Sequence, residues 1–228
     1  MTFGPLPSSE TTIRDRTVYR SCPVPGWRDV LALTSRLLDY PDNGLVARRQ
    51  KALEASLGLP ESIASRNIVA FAEWFAQVDP DAARMEYVAT FDHKRRNALY
   101  MTYATNGDTR TRGAALLEFQ NLYLRADFPW LPGELPDYLP TVAHFAAVAD
   151  EEDGRAALAL ARPGIEVLAR SLRQSRSPWA KLTNAIVECL PPLDRAAQRQ
   201  VEERAAAGPP QEAVGRVLPD TPLVGVAV

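Results

Sequence analysis

The sequence predicts an all-α fold: a single compact multi-helix bundle with an N-terminal arm and a C-terminal tail. Three observations carry that expectation. Apolar residues recur at helical spacing in segment after segment, no stretch alternates with the period of two that a strand needs, and proline or capping residues mark where segments start and stop. With 228 residues, 46% of them hydrophobic, the chain can bury one substantial core rather than two.

Residues 1–26 are rich in Pro, Ser and Thr without periodicity and read as an extended arm. They lack an apolar region behind a basic start, so they are not read as a secretory signal. Trp27, Val30, Leu31, Thr34, Leu37 and Leu38 then form one helical stripe, closed by Tyr40-Pro41 because the residue before proline avoids the α region. Leu45, Val46, Leu53 and Leu57 before Gly58 suggest a second helix. Ile68, Phe71, Phe75 and Val78, after Pro60, suggest a third. Asp79 before Pro80 gives an N-cap and a proline at the first helical position, and Met85, Val88 and Phe91 follow on one apolar face. Lys94-Arg95-Arg96 comes at the far end of that helix, where its dipole favours cations, and reads as a solvated terminus.

Asn106-Gly107-Asp108 is a turn signal. Asp108 or Thr109 can cap a helix from about Thr111 to Phe128, with Leu116, Phe119 and Tyr123 on one stripe and Leu117 and Leu124 beside it. Pro129, Pro132 and Gly133 make a loop, and Leu135-Pro136-Asp137-Tyr138-Leu139-Pro140 opens a helix continued by Val142, Phe145 and Ala149. A segment from Ala156 to Leu172 should be kinked or split at Pro163-Gly164. Ser177-Pro178 should cap a last core helix bearing Trp179, Leu182, Ile186 and Leu190. Residues 191–228 read mostly as a disordered tail, in which 194–208 can form one charged helix. The helical domain is thus expected over residues 27–190.

Composition narrows the function. Lys plus Arg number 26 and Asp plus Glu 28, so the net charge is 26 − 28 = −2, which argues against nucleic acid as a partner. No run of 18 apolar residues suggests a membrane span. Cys22 and Cys189 match neither a disulfide framework nor a metal-ligand spacing, as suits a reducing cytoplasm. GxSxG, HExxH, GxxxxGK and CxxC motifs are all missing. The two histidines, His93 and His144, lie far apart in the chain, and Glu151-Glu152 suits the first turn of a helix better than acid/base work. No cofactor is expected to be held, and no enzyme activity.

A binding role asks only for a groove with apolar walls and oriented polar groups at its rim. Tyr87, Phe91, Tyr100, Tyr103, Phe119 and Tyr123 bring aromatic groups to successive helices, each either core or contact. Tyr138, between Asp137 and two prolines at a helix entrance, is expected in an exposed pre-organised turn. Leu135 and Leu139 complete the apolar set. Asp108 caps, while Arg110 and Arg112 can bridge Glu134 or Asp137, so the two segments can build one face.

The succession GDTRTRG, an aromatic amphipathic helix, then ELPDYLP resembles the nitrate reductase molybdenum cofactor assembly chaperones, the delta-subunit or NarJ-type family, within a wider group of helical chaperones for molybdenum enzymes. SRLLDYPD near the start and RSPWAKLTNAIVECLP near the end extend the resemblance, loosely, from Trp27 to about Leu190. One departure is Asn106, where many relatives carry a histidine. The resemblance implies a cytoplasmic chaperone, monomer or weak homodimer. Its partner would be the apo alpha subunit of a respiratory nitrate reductase, bound by its N-terminal segment, kept competent for cofactor insertion and held from membrane docking until loaded. The alternatives are a permanent structural subunit of an oxidoreductase, an enzyme acting on the cofactor, or a chaperone for a dimethyl sulfoxide or trimethylamine oxide reductase.

Overall fold

The computed structural model describes residues 24–107, 111–130 and 133–207. Over these residues it is all α, in the order α1 (Trp27–Leu37), α2 (Asn43–Ala47), α3 (Arg49–Leu57), α4 (Ile63–Gln77), α5 (Pro80–Tyr87), α6 (Met101–Asn106), α7 (Thr111–Arg125), α8 (Leu139–Val148), α9 (Glu151–Gln174), α10 (Ala180–Glu188) and α11 (Arg195–Ala207). A π-helical turn, Val88–Asp92, prolongs α5, and a 3-10 turn, Arg95–Asn97, follows it.

Local chemistry explains most boundaries. Asp79 caps α5 by accepting from the amides of Asp81 and Ala82, both at 3.0 Å, with Pro80 at the first position as its sequence requires. Ser62 and Ser65 form a reciprocal capping box on α4. The second expected helix is broken at Arg48 into α2 and α3, and Leu57 is exposed rather than buried. Met85 also faces outward, because a helix as short as α5 buries only the stripe of Ala83 and Tyr87.

Two expectations about proline need correction. The helix α9 runs unbroken through Pro163-Gly164, with Pro163 exposed. The proline ring lies on the exposed flank, while Gly164 on the inner flank lets α6 come close. Ser177 does not cap α10 with its side chain; its hydroxyl faces that of Thr90 at 3.4 Å.

The core is continuous. Helix α8, flanked by α1 and α9, buries Leu139, Val142 and Phe145 completely, while α10 packs onto α4 and α9. Trp179 joins these layers, its ring lying within 6 Å of those of Phe71, Trp74, Tyr87 and Phe91. Cys189 is buried, whereas Cys22 lies outside the described residues. Glu151, Glu152 and Asp153 occupy the first turn of α9, where its dipole favours them. The charged segment after Leu193 is indeed a helix, α11, capped by Asp194 and laid against α9 through Val201 and an Arg170–Glu202 ion pair. Residues 208–228 lie outside the described part of the expected tail.

Candidate functional site

The ELPDYLP segment is held by a short backbone clip. The amide of Leu139 donates to Leu99 O at 2.8 Å and that of Met101 to Asp137 O at 3.0 Å, so Tyr100 and Tyr138 pair as an isolated antiparallel bridge. Their rings meet at 5.6 Å.

Asp137 is the hinge of this arrangement, and it corrects the expectation of an exposed turn: its exposure is 0%. Its Oδ2 accepts from the Thr102 amide at 2.8 Å and the Thr102 hydroxyl at 2.6 Å. The carboxylate therefore caps the N-terminus of α6 from the other end of the clip, where the helix dipole favours a negative charge. Its second oxygen, Oδ1, is buried with no hydrogen-bond partner among the described residues. Arg112 reaches the same hydroxyl, donating from Nε to Thr102 Oγ1 at 3.2 Å, and lies 5.3 Å from the centre of the Tyr103 ring. Arg112 thus meets Asp137 through Thr102. Asp108 and Arg110 fall outside the described residues.

The other candidates divide. Phe119, Tyr123 and Leu139 are core residues at 1%, 0% and 0% exposure, and Tyr87 and Phe91 are buried as well. Tyr123 still serves the site, donating to Pro136 O at 2.7 Å. On α7 it is Leu117 and Leu124 that face outward. Tyr100, Tyr103, Glu134 and Tyr138 are half-buried and Leu135 is exposed. Glu134 accepts from the Tyr100 hydroxyl at 3.0 Å and from the Leu135 amide at 2.9 Å, which fixes the loop before Asp137.

Two residues of the site were not singled out from sequence. Asp39 and Tyr40 end α1 beside the clip: Tyr40 is exposed and meets the Tyr87 ring edge-on at 5.4 Å, while the Tyr87 hydroxyl donates to Leu38 O at 3.1 Å. The signal was an aromatic residue stranded between Asp39 and Pro41, read only as a helix end. Partial burial first, then the carboxylates of Asp42 and Glu134, push Asp39 up to about 6, against the pull of Arg36 and of the Tyr138 hydroxyl. Burial raises Tyr87, Tyr123 and Tyr138 far above the usual phenol range, and Tyr100 to about 12, so these four hydroxyls are neutral at pH 7.

The Asp39 shift has a definite sign. A carboxyl that titrates at about 6 in the fold and near 3.8 when unfolded binds more protons in the native state. Its contribution to stability is full below 3.8 and is lost as pH rises through 6. Thermal melts from pH 4 to 7 should therefore show Asp39→Asn gaining on the parent as pH rises towards 6 and levelling off above it; a constant offset between them would refute the shift.

The surface so built is a shallow aromatic patch of Tyr40, Tyr100, Tyr138 and Leu135, rimmed by Asp39, Asp42 and Glu134. Among the described residues no group of three or more His, Cys, Asp or Glu could hold a metal ion, and no helix is long and apolar enough to cross a membrane. His93 and His144 are both exposed, at separate places. Polar groups here position a surface on an all-helical protein.

Residues 59–184 match the model of the nitrate reductase delta subunit family, and the chain belongs to that family. It is 34% identical over 158 residues to the probable nitrate reductase molybdenum cofactor assembly chaperone NarJ of Bacillus subtilis, covering 68% of this chain and 85% of that protein. It is 29% identical over 161 residues to the assembly chaperone NarJ of Escherichia coli K12, covering 69% and 68%. The nitrate reductase-like protein NarX of Mycobacterium tuberculosis H37Rv shares 35% identity over 160 residues, which are 70% of this chain but only 24% of that relative's length.

Proposed function

We propose that this protein is a cytoplasmic chaperone of nitrate reductase assembly. It binds the apo catalytic alpha subunit through that subunit's N-terminal segment, keeps it open to molybdenum cofactor insertion and delays its docking to the membrane until loading is complete. The names of the Bacillus and Escherichia relatives support the assembly role, and a non-catalytic chain accords with them. The observation that carries the reading is the clip: two chain segments, a buried aspartate and a tyrosine pair hold an aromatic surface open beside an acidic rim. Such a surface accepts the apolar face of an amphipathic helix, and its carboxylates favour a basic residue at the edge. The working unit is residues 27–190, acting as a monomer or weak homodimer. Preference for the unloaded subunit is what makes the cycle run, because a partner that bound both forms equally would shift neither.

Calorimetric titration with a synthetic alpha-subunit N-terminal peptide, beside a scrambled control, tests this. Saturable micromolar binding to the true peptide alone is the expected result. The double variant Tyr40→Ala, Leu135→Ala removes exposed apolar contacts and should weaken binding about tenfold while leaving the melting temperature within about 2 °C. Equal binding of both peptides would refute the segment assignment. Co-purification with fully loaded enzyme at fixed stoichiometry would instead favour a permanent subunit.

A further inference from the structure

On the face formed by the turn after α5 and the end of α9, a cavity of about 200 Å³ is lined by Lys94, Arg96, Asn97, Ser171, Gln174 and Ser175. None of the six is acidic. The π-helical turn and the 3-10 turn bring the basic run over α9, and they are anchored from below. Asn97, 1% exposed, donates to Thr90 O at 2.9 Å and accepts from the Ser171 hydroxyl at 2.6 Å.

A basic run at this place has an ordinary explanation, that it neutralises the carbonyl end of α9. The hydrogen bonds argue otherwise. Ser171 O accepts from the Ser175 amide and hydroxyl, Leu172 O from the Ser177 amide and the same hydroxyl, and Arg173 O from the Arg176 amide. Three of the last four carbonyls, those of Ser171, Leu172 and Arg173, are thus satisfied without Lys94 or Arg96. Neither cation forms an ion pair or hydrogen bond among the described residues, and the Gln174 amide is likewise unengaged. Arg173 and Arg176 at the same helix end add positive charge rather than offset it.

We propose that this cavity binds a doubly charged tetrahedral oxyanion of the phosphate class, free or as the terminal group of a larger phosphorylated molecule. Lys94 supplies a compact charge, Arg96 a planar fork matched to two oxygens, and Gln174 a neutral donor. The volume is below the roughly 300–1,000 Å³ of pockets for whole drug-sized ligands, and most of its lining is exposed, so it has room for one such group with anything attached to it extending into solvent. The site is separate from the Asp137 surface and stands independently of the chaperone reading.

The test is titration of the full-length protein with inorganic phosphate, pyrophosphate and ADP, followed by amide NMR shifts, with chloride at matched ionic strength as control. Saturable shifts at Asn97, Ser171 and Gln174 are expected for at least one phosphate probe and not for chloride. A tighter response to ADP identifies a group carried on a larger molecule, and an equal or tighter response to phosphate identifies the free anion. Lys94→Gln with Arg96→Gln, both exposed and so compatible with folding, should weaken binding about tenfold or more, the loss of two charge-assisted hydrogen bonds. Arg95→Gln removes a charge of the same run that does not line the cavity and should change affinity less than about twofold. Absence of saturation, an undiminished response in the double variant, or an equal loss in Arg95→Gln would overturn the proposal.

Discussion

Asp137→Ala is expected to destabilise the protein by about 3 kcal/mol in urea denaturation and to weaken client binding along with it. The substitution removes two charge-assisted hydrogen bonds and leaves the Thr102 amide and hydroxyl buried without acceptors. Part of that cost is returned, because the carboxylate is itself buried and its Oδ1 has no partner among the described residues. Asp137→Asn keeps an oxygen for Thr102 and should cost about 1 kcal/mol. An unchanged unfolding midpoint in Asp137→Ala would show that the α6 cap contributes nothing. In the exposed turn expected from sequence the same change would have cost little; the burial of Asp137 is what makes its two bonds matter.

Gly164→Ala is expected to do as much damage from outside the site. A Cβ on Gly164 would lie 2.4 Å from Met101 O and 2.8 Å from Met101 Cα. Both are backbone atoms that cannot rotate aside, so α6 and α9 must separate, at about 3 kcal/mol, the upper part of the overpacking range. Met101 precedes Thr102, so the displacement passes directly into the Asp137 cap, and peptide affinity should fall although no contact residue has changed. The control is Gly113→Ala on α7, where nothing lies within 4 Å; there alanine should stabilise by up to about 1 kcal/mol through helix propensity. Equal melting temperatures for the two variants would refute the close-packing argument.

The helices that sequence revealed most clearly are those whose signals are local. Asp79-Pro80 starts α5 and the Trp27 stripe forms α1 because caps and periodicity act within a few residues. Outcomes set by distant partners were misread. Met85 and Leu57 follow an apolar pattern yet face solvent, since neighbouring helices decide which flank is covered. Pro163 should interrupt a helix considered alone, but packing on three sides keeps α9 continuous. The candidate site was found through its motif, which marked the place and not its orientation. Asp137 turned inward to serve Thr102, and its partner could not be named from sequence because nothing about a threonine in an aromatic run points so far along the chain. Tyr40, which ended a helix on paper, became the exposed aromatic edge.

The clip has a consequence for the order in which the molecule assembles. Helix α6 spans only Met101–Asn106, too short to persist alone in water, and the carboxylate that caps it arrives from the far side of an excursion of chain running from Thr102 to Pro136. Closing that excursion carries an entropic cost that only the assembled bundle can offset. The candidate surface is therefore expected to be among the last features to form during folding. A nascent or partly folded copy would have the sequence of the site without the site, so any partner that the surface takes would be received only after folding is complete.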